Sequence, residues 1–424
     1  MKPPYLRCDS CGETLPARSG RSDCASCGGL LDVVQGPREA RGVLRARFDR
    51  RRREGDEGFL GSGVWRFREL LLPLRGPVVT HPEGNTPLYR RDSISRYVGH
   101  GDLVLKHEGE NPTGSFKDRG MTVAVTQAVR TGARAVACAS TGNTSASMAA
   151  YAAQAELPAL VFVPAGKVAA GKLAQALAYG ARTLLVEGDF DVCLRLARDA
   201  SSALGIALLN SVNPWRIEGQ KTIVWELLQQ LGWDAPDWIL VPAGNLGNTS
   251  AFGKALLEAR DLGLIRRVPR VVSVQAAGAA PFYRSFRGGF QRRYRVVAET
   301  VATAIRIGDP ASHDRAVRTI RETKGVVTAV SDREILEAKA VVDAAGIGCE
   351  PASAAAVAGA RRLVREGRIR ARDSVVAVLT GHVLKDPEAV MAFHRRRGPG
   401  RNPPVTIAPQ VRAVERLLER LSRR

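Results

Sequence analysis

Short apolar runs alternate with longer amphipathic stretches through most of the chain after Glu83. The helical stretches include residues 144–154, 169–179, 192–204 and 220–231. The runs with the length and composition of strands are DLVLK, RAVACAS, ALVFVP, RTLLVEG, DWILVP, RVVSVQA and SVVAVLT. Because strands and helices alternate and the strands are apolar throughout, the pattern predicts doubly wound parallel α/β sheets that helices cover on both faces.

The same pattern divides the chain into four parts. Residues 1–36 have almost no apolar core and carry two pairs of cysteines, and residues 37–80 predict a basic linker with a docking helix around VWRFRELLLPL. Residues 81–394 contain the α/β alternation and form the predicted catalytic core. Residues 395–424 predict a basic tail that ends in an amphipathic helix.

Composition places the chain among globular proteins, with 424 residues, 45% hydrophobic and 25% charged. No apolar run reaches about 18 residues and the start MKPPYLRC has no apolar segment, so we expect a cytoplasmic protein without a membrane span. The net charge of +21 suggests a polyanion partner. However, residues 38–53 and 394–424 carry much of this charge outside the predicted core, which favours solvated basic segments over nucleic-acid binding.

Four cysteines near the start have the spacing of a metal site. Cys8, Cys11, Cys24 and Cys27 form two C-x2-C pairs separated by twelve residues, which allows four thiolates to bind zinc tetrahedrally. With all four positions filled, the zinc would be structural and would supply folding energy to a small zinc ribbon. Two disulfides are the alternative, which a cytoplasmic location disfavours.

A lysine stands at the centre of the stretch LKHEGENPTGSFKDRG, residues 105–120. Lys117 follows the turn-forming run NPTGS and precedes the apolar helical run 121–129. The positive end of the helix dipole disfavours an ammonium at this position, so its pKa should fall. An amine of this kind is a candidate for Schiff-base chemistry.

Three more loops follow predicted strands and carry polar residues that a structural turn does not need. Ser140–Ser147 (STGNTSAS) opens a helix with small hydroxyl and amide side chains, which suits a carboxylate. Gly244–Asn248 (GNLGN) allows backbone N–H groups to approach a phosphate, and Thr380 offers a hydroxyl at a strand end in TGHVLKD. A lysine, an anion site, a phosphate site and a hydroxyl on one sheet predict pyridoxal 5'-phosphate as the cofactor.

The ordered motifs EGNTPL, ENPTGSFKDRG, ASTGNTSAS, NSVNPWRIEGQKT, PAGNLGN and LTGHVLKDP resemble those of the threonine synthases. These are fold-type-II pyridoxal-phosphate enzymes of the tryptophan-synthase-β-like family, and the resemblance covers residues 83–387. It implies two subdomains, the smaller at about 121–224, and a homodimer. Val383 departs from the pattern, because many relatives have glycine after TGH.

The resemblance also implies roles for individual residues. Lys117 is implied as the catalytic Schiff-base lysine, Asn143 as the residue facing the cofactor's 3-hydroxyl, and Thr380 as the partner of its pyridine nitrogen. The implied cofactor-phosphate loop consists of Gly244, Asn245, Leu246, Gly247 and Asn248. The implied substrate-binding residues are Ser140, Thr141, Thr144, Ser211, Arg216 and Asn245.

The expected reaction converts O-phospho-L-homoserine and water to L-threonine and phosphate. A β-replacement enzyme acting on O-phospho-L-serine, of the cysteate or cysteine synthase type, and a threonine dehydratase stay open within the same fold. A nucleic-acid-binding protein on an inactive enzyme fold is the alternative from another class. The arginine runs lack the interleaved aromatic residues that single-strand binding uses, so neither a nucleic-acid nor a membrane partner is expected.

Overall fold

The structure is a computed structural model that describes residues 4–35, 41–55, 59, 61–72, 76–166, 170–395, 398 and 400–422. Parts of several predicted regions lie outside the described residues. They are residues 1–3 and 36 of the ribbon, residues 37–40, 56–58, 60 and 73–75 of the linker, residues 167–169 of the core, including the start of a predicted helix, and residues 396, 397, 399, 423 and 424 of the tail.

The described strands form three sheets. They are β1 (Tyr5–Cys8), β2 (Thr14–Pro16), β3 (Leu31–Val34), β4 (Leu88–Tyr89), β5 (Leu103–His107), β6 (Ala135–Ala139), β7 (Ala159–Pro164), β8 (Arg182–Val186), β9 (Ile206–Leu208), β10 (Trp238–Pro242), β11 (Arg270–Ala276), β12 (Val326–Val330) and β13 (Val375–Leu379). The N-terminal sheet has the order β2-β1-β3 and is antiparallel. The other two sheets have the orders β12-β11-β10-β13-β5-β4 and β8-β7-β6-β9, and all their pairs are parallel except β4 with β5.

Helices connect the parallel strands, as the alternation predicts. The described α-helices are α1 (Arg41–Glu54), α2 (Asp92–Val98), α3 (Lys117–Arg130), α4 (Asn143–Gln154), α5 (Ala170–Ala178), α6 (Phe190–Leu204), α7 (Pro214–Gln230), α8 (Gly247–Asp261), α9 (Pro281–Arg287), α10 (His313–Glu322), α11 (Asp332–Ala344), α12 (Pro351–Arg365), α13 (Pro387–His394) and α14 (Val411–Ser422). Within the described ranges, none of these helices is both long and apolar enough to cross a membrane.

Helices cover both faces of the large sheet because alternate residues of its strands enter different cores. In β10, Ile239 and Val241 pack into one hydrophobic cluster, whereas Trp238 and Leu240 pack into another. Side chains of a strand point alternately to opposite faces, so both faces of this sheet are buried. The prediction of an α/β fold with parallel sheets is confirmed, although β4 pairs antiparallel with β5 and the edge strand β8 of the smaller sheet is largely exposed.

Three strands of the two larger sheets, β4, β9 and β12, lie outside the predicted set. The strands β4 and β9 have two and three residues, which is too short for an apolar run to be recognised. The strand β12, VVTAV, has the same apolar signal as the predicted strands and a glycine directly before it. It forms one edge of the large sheet, next to β11.

The linker region forms a helix in a different place from the one that its apolar pattern suggests. The stretch from Trp65 to Leu70 is a short 3-10 helix, while the arginine-rich segment forms α1. Phe48 of α1 packs edge-on against Phe67, with ring centroids 5.0 Å apart. Arg51 forms an ion pair with Glu69 at 2.6 Å. Part of the positive charge of this segment therefore holds α1 against the core.

The cysteine-bearing N-terminal sheet docks on the catalytic core through buried charges. Asp32 of β3 forms an ion pair with Lys254 of α8 at 2.7 Å, and Lys254 pairs with Glu218 of α7 at the same distance. Arg315 donates to the carbonyl oxygen of Leu31 at 2.6 Å. These contacts attach the N-terminal sheet to α8 and α10, and Lys254 links α8 to α7.

Candidate active site

A cavity of about 810 Å³ lies at the carboxyl ends of β6, β10 and β13, where ligands bind in open α/β sheets. The structure brings all the predicted cofactor and substrate residues together in its lining. They are Lys117, Ser140, Thr141, Asn143, Thr144, Ser211, Arg216, Gly244, Asn245, Leu246, Gly247, Asn248 and Thr380. Residues separated by more than 260 positions in sequence thus face one space.

Two glycines allow α3 and α7 to cross closely enough to share this cavity. A Cβ atom on Gly219 would lie 1.8 Å from the carbonyl oxygen of Arg119, which no side chain can occupy. A Cβ atom on Gly120 would lie 3.1 Å from the carbonyl oxygen of Arg216. The close approach of the two backbones places the first turns of both helices, with Lys117 and Arg216, at the same cavity wall.

Lys117 is the first residue of α3 and is half-buried, since its side chain faces the cavity. Its Nζ lies 4.1 Å from the centroid of the Phe116 ring, and no hydrogen bond to Nζ is formed by the described residues. Burial, followed by repulsion from Arg216, lowers the pKa of the Lys117 ammonium to about 7, against the attraction of the Glu350 carboxylate. The amine is therefore available as a nucleophile or base near neutral pH.

Arg216 is fully buried in the first turn of α7. Asn213 caps this helix by accepting a hydrogen bond from the backbone N–H of Trp215 at 3.0 Å, and Pro214 occupies its first position. The guanidinium donates once, from Nη1 to the carbonyl oxygen of Leu209 at 3.1 Å, while its Nε and Nη2 have no partner among the described residues. A buried guanidinium with free donors can bind an anion.

The loop Gly244–Asn248 ends β10 and opens α8. Leu246, the residue before α8, has a φ of 65°, a left-handed conformation that is uncommon for a residue with a side chain. Its side chain is buried with Phe282, which holds this conformation in place. A Cβ on Gly244 would lie 2.9 Å from Ile305 Cα, so only glycine fits there. The first N–H groups of α8 consequently face the cavity without helical partners.

The loop STGNTSAS is tied to the lysine loop through a buried carboxylate. Asp118 accepts from Ser147 Oγ at 2.6 Å and from the backbone N–H and Oγ1 of Thr113 at 2.7 and 2.6 Å. Burial raises the pKa of this carboxyl, although the hydrogen bonds oppose the effect. The start of α4 and the start of α3 are thus fixed relative to each other.

Glu350 is a lining residue that the sequence reasoning missed. Its carboxyl accepts from Asn143 Nδ2 at 3.1 Å and from Thr380 Oγ1 at 3.2 Å. Burial raises its pKa, against these hydrogen bonds and the attraction of Lys117 and Lys385. Glu350 follows no strand, so a search of strand ends cannot find it. The available signal is an acidic residue directly before the proline that opens the alanine-rich α12.

Two further missed residues stabilise the cavity walls. Asn210 forms two hydrogen bonds with Ala139 at the end of β6. Its amide nitrogen donates to the carbonyl oxygen of Ala139 and its amide oxygen accepts from the N–H of Ala139, both at 3.0 Å. Lys385 donates to Gln175 Oε1, and both residues line the cavity. Burial lowers the pKa of Lys385.

The four N-terminal cysteines converge at a separate place. Their sulfur atoms all lie within 4.8 Å of one another, and the Cys8–Cys27 and Cys11–Cys24 pairs are separated by 3.4 and 3.6 Å. Tetrahedral zinc with bonds of about 2.3 Å places thiolates about 3.8 Å apart, so these spacings fit the ion. All four cysteines are free thiols in the structure.

Comparison with known proteins supports the interpretation of the central cavity. The family model described as "Pyridoxal-phosphate dependent enzyme" matches residues 79–381. The chain is 45% identical over 389 residues to a threonine synthase of Methanosarcina acetivorans, covering 91% of this chain and 93% of the relative. It is 42% identical over 422 residues to a threonine synthase of Methanocaldococcus jannaschii, covering 98% and 99%.

Solved structures share the fold. Threonine synthase from Escherichia coli aligns with a TM-score of 0.68 over 98% of this chain and all of that chain, at 19% identity. The processed form of threonine deaminase isoform 2 from Solanum lycopersicum aligns with a TM-score of 0.61 over 71% of this chain and 80% of that chain, at 22% identity. The family predicted from the sequence motifs is confirmed, and the chain belongs to the threonine synthase family of pyridoxal-phosphate-dependent enzymes.

Proposed function

We propose that this chain converts O-phospho-L-homoserine and water to L-threonine and phosphate. The observation that carries the proposal is the meeting of two cations, Lys117 and Arg216, in one cavity where neither has an anionic hydrogen-bond partner among the described residues. A phosphorylated amino acid bound to the cofactor supplies an anion for Arg216 and an acidic C–H for Lys117. The family relationship to threonine synthases adds the particular phosphoester.

The residues of the cavity fit pyridoxal phosphate. Lys117 would hold its aldehyde carbon, Asn143 would face the 3-hydroxyl, and Thr380 would meet the pyridine nitrogen. The N–H groups at Gly247 and Asn248 would bind its phosphate, since the glycine-lined loop leaves room for close approach. When bound, the cofactor acts as an electron sink that makes the protons on neighbouring substrate carbons acidic.

Lys117 moves the substrate's Cα proton in this proposal. A pKa of about 7 leaves its amine partly neutral at physiological pH, so Nζ can accept a proton and later return it. The Phe116 ring beside Nζ has no oxygen or nitrogen acceptor and contacts the amine through its π face, 4.1 Å from the ring centroid. The hydroxyl of Thr380 supplies no fixed negative charge at the pyridine nitrogen, which favours β and γ chemistry over transamination.

Arg216, at the same cavity wall as Lys117, binds the leaving phosphate in this proposal. Arg216 has two free donors, and Ser211 and Thr144 bring hydroxyl groups to the same cavity. Asn245 donates to Ser211 Oγ at 2.9 Å and accepts from the backbone N–H of Ala311 at 3.0 Å, which holds that hydroxyl in place. Ser140 and Thr141, at the start of α4, would bind the substrate carboxylate beside free helix N–H groups.

A product assay with two substrates tests this proposal. Purified protein loaded with pyridoxal phosphate is incubated with O-phospho-L-homoserine and, separately, with O-phospho-L-serine plus sulfite or sulfide. We expect threonine and phosphate from the first and no amino-acid product from the second. Cysteate or cysteine from phosphoserine, or 2-oxobutanoate from added threonine at a higher rate, would replace the proposal with a β-replacement or dehydratase function.

The N-terminal cysteines form a structural zinc ribbon in this proposal. The four thiols have the spacing for tetrahedral zinc and leave no ligand position open. We expect one zinc ion per chain by metal analysis, retained in Cys193→Ala and lost in Cys8→Ser. Full zinc content in Cys8→Ser, or no zinc in the wild-type protein, would exclude the ribbon.

A further inference from the structure

The carboxyl group of Glu350 lies between the two side chains that are assigned to the 3-hydroxyl and the pyridine nitrogen of the cofactor ring. Its Oε2 accepts from Asn143 Nδ2 at 3.1 Å, and its Oε1 lies 3.2 Å from Thr380 Oγ1. The residue is 4% exposed and lines the cavity. One carboxyl group therefore contacts both polar groups that would meet the ring.

The backbone holds Glu350 rigidly in this place. Its N–H donates to the carbonyl oxygen of Gly381 at 3.0 Å, and its own carbonyl accepts from the N–H of Ser353 at 3.1 Å in the first turn of α12. A Cβ atom on Gly381 would lie 2.5 Å from the carboxyl carbon of Glu350. The glycine after Thr380 thus leaves the space that the carboxyl group occupies.

The hydrogen bonds around Thr380 limit the directions in which its hydroxyl proton can point. Ser353 Oγ accepts from the N–H groups of Thr380 and Gly381 at 2.8 and 2.9 Å, so its own proton points to another acceptor. The nearer acceptor is Thr380 Oγ1 at 3.1 Å. With Ser353 donating, the single proton of Thr380 goes either to Glu350 or into the cavity. Glu350 thereby competes with a ring nitrogen for that proton.

A similar argument applies to Asn143. Its amide has two N–H hydrogens and one oxygen, and either end can face the cavity. Because Glu350 accepts from Nδ2, the nitrogen lies on the side of the carboxyl group, and its second hydrogen is free for a ring hydroxyl. Without this acceptor, the amide can rotate and present its oxygen instead.

We propose that Glu350 is a positioning residue for the cofactor, which fixes the donor that Asn143 presents to the 3-hydroxyl and the atom that Thr380 presents to the pyridine nitrogen. The inference rests on the roles of Asn143 and Thr380 in the proposed function. It assigns to the carboxyl group an effect on the electronic state of the bound cofactor, beyond any effect on folding.

The test uses Glu350→Gln, with Glu366→Gln at the exposed opposite end of α12 as the matched control. The full chain is loaded with pyridoxal phosphate, and the absorption maximum of the bound cofactor and its dissociation constant are measured without substrate. We expect Glu350→Gln to shift the maximum and to weaken cofactor binding about tenfold, because the amide keeps one acceptor oxygen for the two donors of Asn143 and Thr380. Glu366→Gln should match the wild type.

A double-mutant cycle with Asn143→Ala separates positioning from general destabilisation. If Glu350 acts through Asn143, replacing Glu350 should weaken cofactor binding much less in the Asn143→Ala background than in the wild type. Should Glu350→Gln fail to fold, Glu350→Asp keeps the charge but withdraws both oxygens, and it should show the same spectral shift.

Unchanged spectrum and affinity in a folded Glu350 variant would overturn the inference, as would strictly additive losses in the cycle. Neither measurement involves the amino-acid substrate. A negative result here therefore leaves the threonine-forming reaction standing, and an enzyme that forms no threonine can still show the predicted shift.

Discussion

Lys117 and Arg119 lie two residues apart in the first turn of α3, but the folded protein disfavours the charge of Lys117 and stabilises the charge of Arg119. Arg119 is fully buried and donates to Glu108 at 2.6 and 2.9 Å and to Glu226 at 2.8 and 3.2 Å. Burial alone would lower the pKa of Arg119, but these carboxylates raise it above its usual range. Lys117 has no such partner among the described residues, and its pKa falls.

The same contrast repeats along α7. Arg216, at its start, has two donors without partners in the described part of the chain, whereas Lys221, one turn further, forms ion pairs with Glu218 and Glu258 at 2.8 and 2.7 Å. Buried charges in proteins are normally paired, because an unpaired charge loses its hydration without compensation. A buried or enclosed cation left without a partner is therefore the mark of a site prepared for an anion or a reaction. The paired charges close by hold the helices in register.

The largest expected effect comes from removing the unpaired amine. Lys117→Ala should lower threonine formation by about 10³-fold or more, since it removes both the attachment point and the base. Its free energy of unfolding as the apoenzyme should not fall and should rise at pH 7, because no hydrogen bond is lost and the lowered pKa means that the folded state disfavours the Lys117 ammonium. Product assays and urea denaturation measure the two quantities. Activity within tenfold of the Lys324→Ala control, which removes an exposed lysine, would contradict the role of Lys117.

Removing the paired charge of Arg119 should mainly reduce the stability of the fold. Arg119→Met leaves Glu108 and Glu226 buried without their main partner, which costs about 3–5 kcal/mol of stability. Urea denaturation followed by tryptophan fluorescence measures the loss. Arg198→Met, at an exposed position on α6, is the control and should change stability by less than about 0.5 kcal/mol. A mild effect of Arg119→Met would mean that the network is not a structural one.

Arg216→Met is the substitution that compares most directly with Arg119→Met, because both remove a fully buried guanidinium. Here one hydrogen bond to a carbonyl oxygen is lost, so stability should change little. The value of kcat/KM for the phosphorylated substrate should fall about 100-fold, which corresponds to about 2.7 kcal/mol. Inhibition by inorganic phosphate should weaken in parallel. A stability loss as large as that of Arg119→Met, with phosphate inhibition intact, would place Arg216 among the structural charges.

Most strands of the two larger sheets could be predicted from apolar runs in the sequence. All seven predicted strands coincide with strands of the two larger sheets within a residue or two. Six of them are buried, and a buried parallel strand is apolar on both faces, whereas β8 is a largely exposed edge strand that still carries an apolar run. The edge strand β4 has two residues and carries no such signal. The start of α7 was predicted six residues late, although Asn213 and Pro214 are a recognisable cap and first residue.

The site was predictable where it follows strands, and motif resemblance supplied the residue roles. Polar loops after β6, β10 and β13 point to one end of the sheets, because parallel strands share that edge. Glu350 was missed since it precedes a helix without a strand before it. The unpaired state of Arg216 was equally invisible, because only the folded structure shows which donors lack acceptors.

The smallest expected effect of the contrast between Lys117 and Arg119 is on how the free energy of unfolding depends on pH. The pKa of Lys117 is about 7 in the folded apoenzyme, but the amine has its ordinary value of about 10.4 when unfolded. Between these values the unfolded chain binds more protons than the folded one, so Lys117 makes stability rise with pH. Relative to Lys117→Met, the wild-type apoenzyme should gain about 1 kcal/mol between pH 7 and 8, measured by urea denaturation at both values. Lys324→Met, at an exposed position, should track the wild type. If the free energies of unfolding of the wild type and Lys117→Met differ by the same amount at both pH values, Lys117 keeps its proton in the cavity. Lys117 and Arg119 would then differ in their hydrogen bonds and not in the direction of their pKa shifts.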